Sequence, residues 1–65
     1  MTNAMIMARW ANGVYLTKEE AIEVLMWYFG TDADDAELIL FAITLEKLQV
    51  AVNYYIENHE SMRRM

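Results

Sequence analysis

His59 is the only imidazole in this 65-residue chain, and Ser61 stands two residues beyond it. A nucleophile and its base must be held within hydrogen-bond reach and oriented by a third group. The pair falls in residues 59–65, which read as a frayed tail, so His59 reads as an exposed terminal histidine. A second candidate is the acidic run Asp32-Ala33-Asp34-Asp35-Ala36-Glu37. A calcium loop alternates its ligands around a central glycine and ends in a glutamate roughly 12 residues from its start. Here a helix begins instead, and carboxylates in its first turns complement the positive end of the helix dipole. Helix capping accounts for the run; an acidic face for a basic partner is the functional alternative. Carboxylates paired for acid–base work need a pocket to separate their pKa values, and all ten acids stand at positions that solvent explains. With one histidine and no cysteine, the residues offer no catalytic group, no cofactor site and no metal-ligand set.

The aromatic residues carry more information. Trp10, Tyr15, Trp27, Tyr28, Phe29, Phe41, Tyr54 and Tyr55 are more than one small core encloses. Phe29 and Phe41 read as core. Trp and Tyr dominate the energetic centres of protein interfaces, so several of the others belong at a subunit boundary or in a groove. Met5, Met7 and Met26 suit a surface that adapts to varied apolar partners, whereas Met62 and Met65 fall in the tail.

Two helices must position these residues. The first has a clear start: Thr17 is an N-cap, and Glu20 three residues later completes a capping box. It runs over 18–29 to Gly30, which stands where a left-handed C′ residue belongs. Its polar residues Lys18, Glu19, Glu20 and Glu23 lie in its first half. The second half, Val24 to Phe29, has no polar face and calls for enclosure by protein. The second helix spans about 32–58, capped by Thr31 or Asp32. On it Leu38, Phe41, Leu45, Leu48, Val52 and Tyr55 recur at steps of three and four, the spacing of one helical stripe. Ile39, Ile43, Val50 and Tyr54 form a second stripe on the opposite side. One stripe covers the chain's own core, and the other then needs a partner.

Ahead of the helices, residues 1–16 read as extended. Asn12-Gly13 is a strong turn signal between Met5–Trp10 and Val14–Leu16, so a short strand or tiny hairpin is expected. An isolated two-stranded hairpin is marginal in water, and pairing with the same strand of a second subunit would satisfy more backbone groups. A short helix over 2–11, ended by Gly13, is the rival reading. The fold class expected is therefore mainly α (α+β), as one domain over 1–65 built as an intertwined homodimer.

Composition points the same way. At 57% hydrophobic residues the chain exceeds the roughly 45–50% of ordinary domains, and a chain this short has little interior to hide them. Without cysteine or a metal site, oligomerisation is the remaining means of covering them. The net charge of −5 disfavours nucleic-acid phosphate. The longest apolar-rich run, Leu38 to Leu45, falls short of a bilayer span. No export signal is visible in residues 1–16, and a cytoplasmic location is expected.

The run Ala8-Arg9-Trp10-Ala11-Asn12-Gly13-Val14-Tyr15-Leu16-Thr17-Lys18-Glu19-Glu20-Ala21, followed by two helices at this length and acidity, resembles the small early proteins encoded between the exonuclease and excisionase genes of lambdoid bacteriophages. The resemblance spans nearly the whole chain. It implies a cytoplasmic dimer of one strand and two helices that favours lytic growth, with no catalytic residues to carry over.

The function expected is that of a non-enzymatic homodimeric regulatory protein. Its dimer interface or partner groove would use Trp10, Tyr15, Trp27, Tyr28, Ile39, Ile43, Val50 and Tyr54. A hydrophobic groove near Trp27, Tyr28 and Tyr54 would take an amphipathic helix from another protein. Trp27 filling the dimer core is the competing placement. An acidic inhibitor that presents Asp32, Asp34, Asp35 and Glu37 in place of phosphates is the alternative function.

Overall fold

A computed structural model describes residues 7–59. Three helices make up its regular structure, α1 over Lys18–Phe29, α2 over Ala33–Ala42 and α3 over Leu45–Asn58. The protein is thus mainly helical. None of these helices is long and apolar enough to cross a membrane.

α1 begins and ends as its sequence dictates. The Thr17 hydroxyl accepts the Glu20 amide at 3.1 Å, and Glu20 Oε1 accepts the Thr17 amide at 2.9 Å. Both bonds serve donors that an N-terminus otherwise leaves without partners. Gly30 closes the helix at φ 69°, a left-handed conformation that costs glycine little, and its N–H donates to the Met26 carbonyl. α2 is capped by Asp32, whose carboxylate accepts the Asp35 amide at 2.9 Å.

The single second helix expected over 32–58 is two helices. Ile43 (ψ 147°) and Thr44 (ψ 157°) are both extended. The Thr44 hydroxyl accepts the Lys47 amide at 3.1 Å and so starts a new helix. Both residues are β-branched and lose rotamer freedom in a helix, while threonine is favoured at an N-cap. The break also changes which side faces inward. In α2 Ala36 is buried, and Ile39, Leu40 and Ile43 pack against the core beside it. In α3 the inward residues are Leu48, Ala51 and Val52, with Tyr55 and Ile56 alongside. From Ile43 to Leu48 the inward positions advance by five residues, a step that no continuous helical stripe makes.

Three expectations about faces are therefore corrected. Ile39 and Ile43 do not point away from the chain's own core; they cover it. Phe41, read as core, is 79% exposed, and its stripe neighbours Leu38 and Leu45 are 67% and 51% exposed. Phe29, also read as core, is exposed.

α1 is the hub on which α2 and α3 both pack. Ala21, Ala36 and Ala51, one from each helix, are completely buried, so small side chains stand where the helices meet. Leu25, Val24 and Val52 are the largest fully buried side chains; each stabilises the fold by roughly 1.5–3 kcal/mol through removal from water.

The segment before α1 folds back on itself. Leu16 N–H donates to Ala8 O at 3.1 Å and Trp10 N–H to Val14 O at 2.9 Å, framing an antiparallel bridge between Arg9 and Tyr15. Gly13 turns the chain at φ 88°, and Asn12 Oδ1 accepts the Val14 amide at 3.0 Å. Among the described residues this isolated bridge is all the β structure; residues 1–6, including Met5 and Ile6, lie outside them. Nor is any described residue ahead of Gly13 helical. The outer edge of Arg9 is met within its own chain. Gln49 Oε1 accepts the Arg9 amide at 2.9 Å, and Gln49 Nε2 donates to the Arg9 carbonyl at 3.1 Å. A side-chain amide thus supplies the pairing that was expected from a second subunit's strand. The Trp10 indole N–H, in turn, donates to Glu20 Oε1 at 3.1 Å, tying the hairpin to α1.

The backbone bond from Thr17 and the Trp10 indole together hold the Glu20 carboxyl below its ordinary 4.5. A lowered carboxyl contributes stability that is fully present above 4.5 and disappears as pH falls through the lowered value. Wild type should therefore melt above Glu20→Gln at about pH 7, and the gap should close on acidification below the ordinary carboxyl range. A gap that persists unchanged at about pH 2 would show that the carboxylate charge contributes nothing.

A candidate protein-interaction surface

α1 and α3 bring six aromatic rings into one connected cluster, with Trp10 joined to it from the hairpin. Tyr55 on α3 is its centre. Its ring centroid lies 5.9 Å from Trp10, 5.6 Å from Trp27 and 4.0 Å from His59, on which it stacks. Trp27 meets His59 edge-on at 5.3 Å and Tyr28 at 6.4 Å. Tyr28 then contacts Tyr54 at 5.8 Å and Phe29 at 5.0 Å. Offset and edge-to-face contacts of this kind add to what area burial provides. Lys47 seals one side, its ammonium 5.4 Å from the Tyr28 centroid and 3.5 Å from the phenol oxygen.

The cluster is buried beneath and open above. Tyr55, Trp10 and Tyr28 are half-buried, whereas Trp27 and Tyr54 are 41% and 50% exposed. Burial, aided by the negative charge of Glu23, pushes the Tyr55 phenol above its ordinary 10.0. Val50 and Tyr54, with Asn53 and Glu57, line a shallow depression of about 250 Å³ on α3. A second of about 440 Å³ lies between the hairpin and α3, walled by Arg9, Trp10, Gln49 and Ile56.

Of the eight expected interface residues, the fold unites five. Trp10, Trp27, Tyr28 and Tyr54 belong to the cluster, and Val50 lies one helical turn before Tyr54 on the same side of α3. Tyr15 stands apart at the hairpin, where the Arg9 guanidinium lies 4.8 Å over its ring and donates to its hydroxyl at 3.0 Å. Ile39 and Ile43 face the core, as described.

His59 is not the exposed tail residue its position suggested. Its backbone N–H donates to Tyr55 O and Ile56 O, and its Nδ1 lies 2.8 Å from the Tyr55 carbonyl oxygen. The i,i+4 spacing of Tyr55 and His59 was the available signal, missed because residues 59–65 read as frayed. Ser61 lies outside the described residues. Two acids of the run serve the fold: Asp32 caps α2, and Glu37 pairs with Lys18 at 3.0 Å. Among the described residues, no three His, Cys, Asp or Glu side chains are grouped to hold a metal ion.

Compared with protein-family models, curated proteins and solved structures, the chain finds no significant match in any of the three.

The geometry separates the two tryptophans. Trp27→Phe should remove most of the acrylamide-quenchable emission, because Trp10 is half-buried with its indole bonded to Glu20. Equal quenching of wild type and the variant would mean that Trp27 is shielded.

Proposed function

We propose that the protein is a non-enzymatic interaction module that self-associates through the outer face of α2 and engages a second protein at the aromatic cluster. The exposure of Phe41, 79% of its surface, is the observation that carries this reading, with Leu38 and Leu45 beside it along the chain. Leu38 and Phe41 stand three residues apart on α2 and so share one face of it, an exposed apolar pair of the kind found at interaction sites. A two-fold pairing would set this stripe against its own copy. Flanking surface would then bring the contact toward the roughly 800 Å² per partner of a standard interface.

At the other surface Trp27, Tyr28, Val50 and Tyr54 offer an aromatic ledge suited to an amphipathic helix, with anchors one turn apart. The likeness of residues 8–21 to lambdoid early proteins supports a regulatory role in phage development, exercised on a host or phage protein in the host cytoplasm. The acidic-inhibitor reading has less behind it. Asp32 and Glu37, half of the carboxylates it needs, are engaged within the chain's own fold.

Two substitutions separate association from folding. Wild type should sediment as a dimer at micromolar concentration, with a melting midpoint that rises with concentration. Phe41→Glu should be a folded monomer with a concentration-independent midpoint. Ile43→Asp should instead lose about 2 kcal/mol of intrinsic stability, because it sets a charge against the chain's own core. A wild type that remains a folded monomer over the same concentrations would overturn the proposal.

A further inference from the structure

Glu23 lies on the α1 stripe formed by Glu20, Glu23 and Trp27, at helical steps of three and four. Its two neighbours on that stripe are already placed: Glu20 accepts from the Trp10 indole, and Trp27 abuts Tyr55. Trp10 and Trp27 both lie within 6 Å of the Tyr55 ring. The Glu23 carboxylate therefore projects from the turn between two tryptophans that bracket a tyrosine, and it is exposed.

No cation of the described chain serves it. Lys18 is bound to Glu37 at 3.0 Å, Lys47 rests on Tyr28, and Arg9 rests on Tyr15. These are the three Lys and Arg residues between 7 and 59. A carboxylate on the same helix face as Trp27, with no cationic partner among the described residues, is complementary to a cation that can stack and hydrogen-bond together. Tryptophan is the strongest aromatic partner for a cation. A guanidinium can lie flat on a ring and still direct two parallel N–H donors at a carboxylate, which an ammonium cannot.

We propose that Glu23, Trp10, Tyr55 and Trp27 form a seat for the guanidinium of an arginine carried by a partner protein. The seat adjoins the ledge of Trp27, Tyr28 and Tyr54, so the apolar face of a partner helix would rest on the ledge while its arginine reaches Glu23. The chain's net charge of −5 favours approach of such a basic segment. The inference deepens the interaction reading above by naming the partner's chemistry.

The test uses a blocked amphipathic helical peptide, leucine-faced with one arginine, and its counterpart carrying citrulline, a neutral analogue of similar shape. Each is titrated into the full-length protein while the indole N–H resonances of Trp10 and Trp27 are followed by NMR. The arginine peptide should shift both indoles and bind about five- to tenfold more tightly than the citrulline peptide. Glu23→Gln should bind the two peptides equally while melting as wild type does. Equal affinity of the two peptides for wild type, absence of binding by both, or unmoved indoles would overturn the proposal. Repeating the titration in Phe41→Glu separates it from self-association, because arginine discrimination should survive in that variant whether or not wild type dimerises.

Discussion

The hydroxyl of Thr44, accepting the Lys47 amide, is the contact on which the arrangement of surfaces depends. Without a local acceptor at that point, the Lys47 N–H would look for the Ile43 carbonyl and the chain could run on as one rod. With it, Ile43 and Thr44 stay extended and the inward side of the chain is reset. α2 then turns Ala36, Ile39 and Ile43 inward while α3 turns Leu48, Val52 and Tyr55 inward. Leu38, Phe41 and Leu45 are left outside by the same event. The break at Thr44 thus separates the inward side of α2 from that of α3.

The rest of the fold is arranged around α1. Alanines from all three helices stand at its contacts, and the hairpin is fastened to it through Trp10 and Glu20. The same carboxylate completes the capping box, so the start of α1 and the docking of the hairpin share one acceptor. Gln49 fastens the hairpin to α3 by pairing with both backbone groups of Arg9. These polar bonds lie at the margin of an apolar core that contains no buried polar side chain among the described residues. With the hairpin held at both sides, Trp10 is brought against Tyr55 and so joins the aromatic cluster that α1 and α3 form.

Features determined by neighbouring residues were legible in the sequence. The Thr17–Glu20 box and the Gly30 stop each arise from groups within a few positions of one another, and each has the form its residues imply. Asn12-Gly13 does mark a turn, but Ala11 and Asn12 are its central residues and Gly13 closes it at φ 88°. Trp27, Tyr28 and Tyr54 do come together, through the packing of α3 on α1 rather than through the single long stripe read in the sequence. The break at Ile43–Thr44 was not recognised. Leu38, Phe41, Leu45 and Leu48 keep helical spacing across it, so periodicity alone favours continuity. The phase jump between Ile43 and Leu48 was the contrary signal, and it gains meaning only once the inward residues are known. The role of His59 was likewise hidden, since only the packing of α3 against α1 brings Trp27 and Tyr55 around it.

The central claim is that the break at Thr44 turns Leu38 and Phe41 outward and that a second copy covers them. An isotope-filtered NOE experiment on a mixture of labelled and unlabelled protein reads this directly, since it reports only contacts between copies. The account predicts intermolecular contacts from the side chains of Leu38, Phe41 and Leu45, with Ile39 and Ile43 showing contacts within their own chain alone. Intermolecular contacts centred on Ile39 and Ile43, or none from Phe41 at concentrations where the protein is associated, would contradict it.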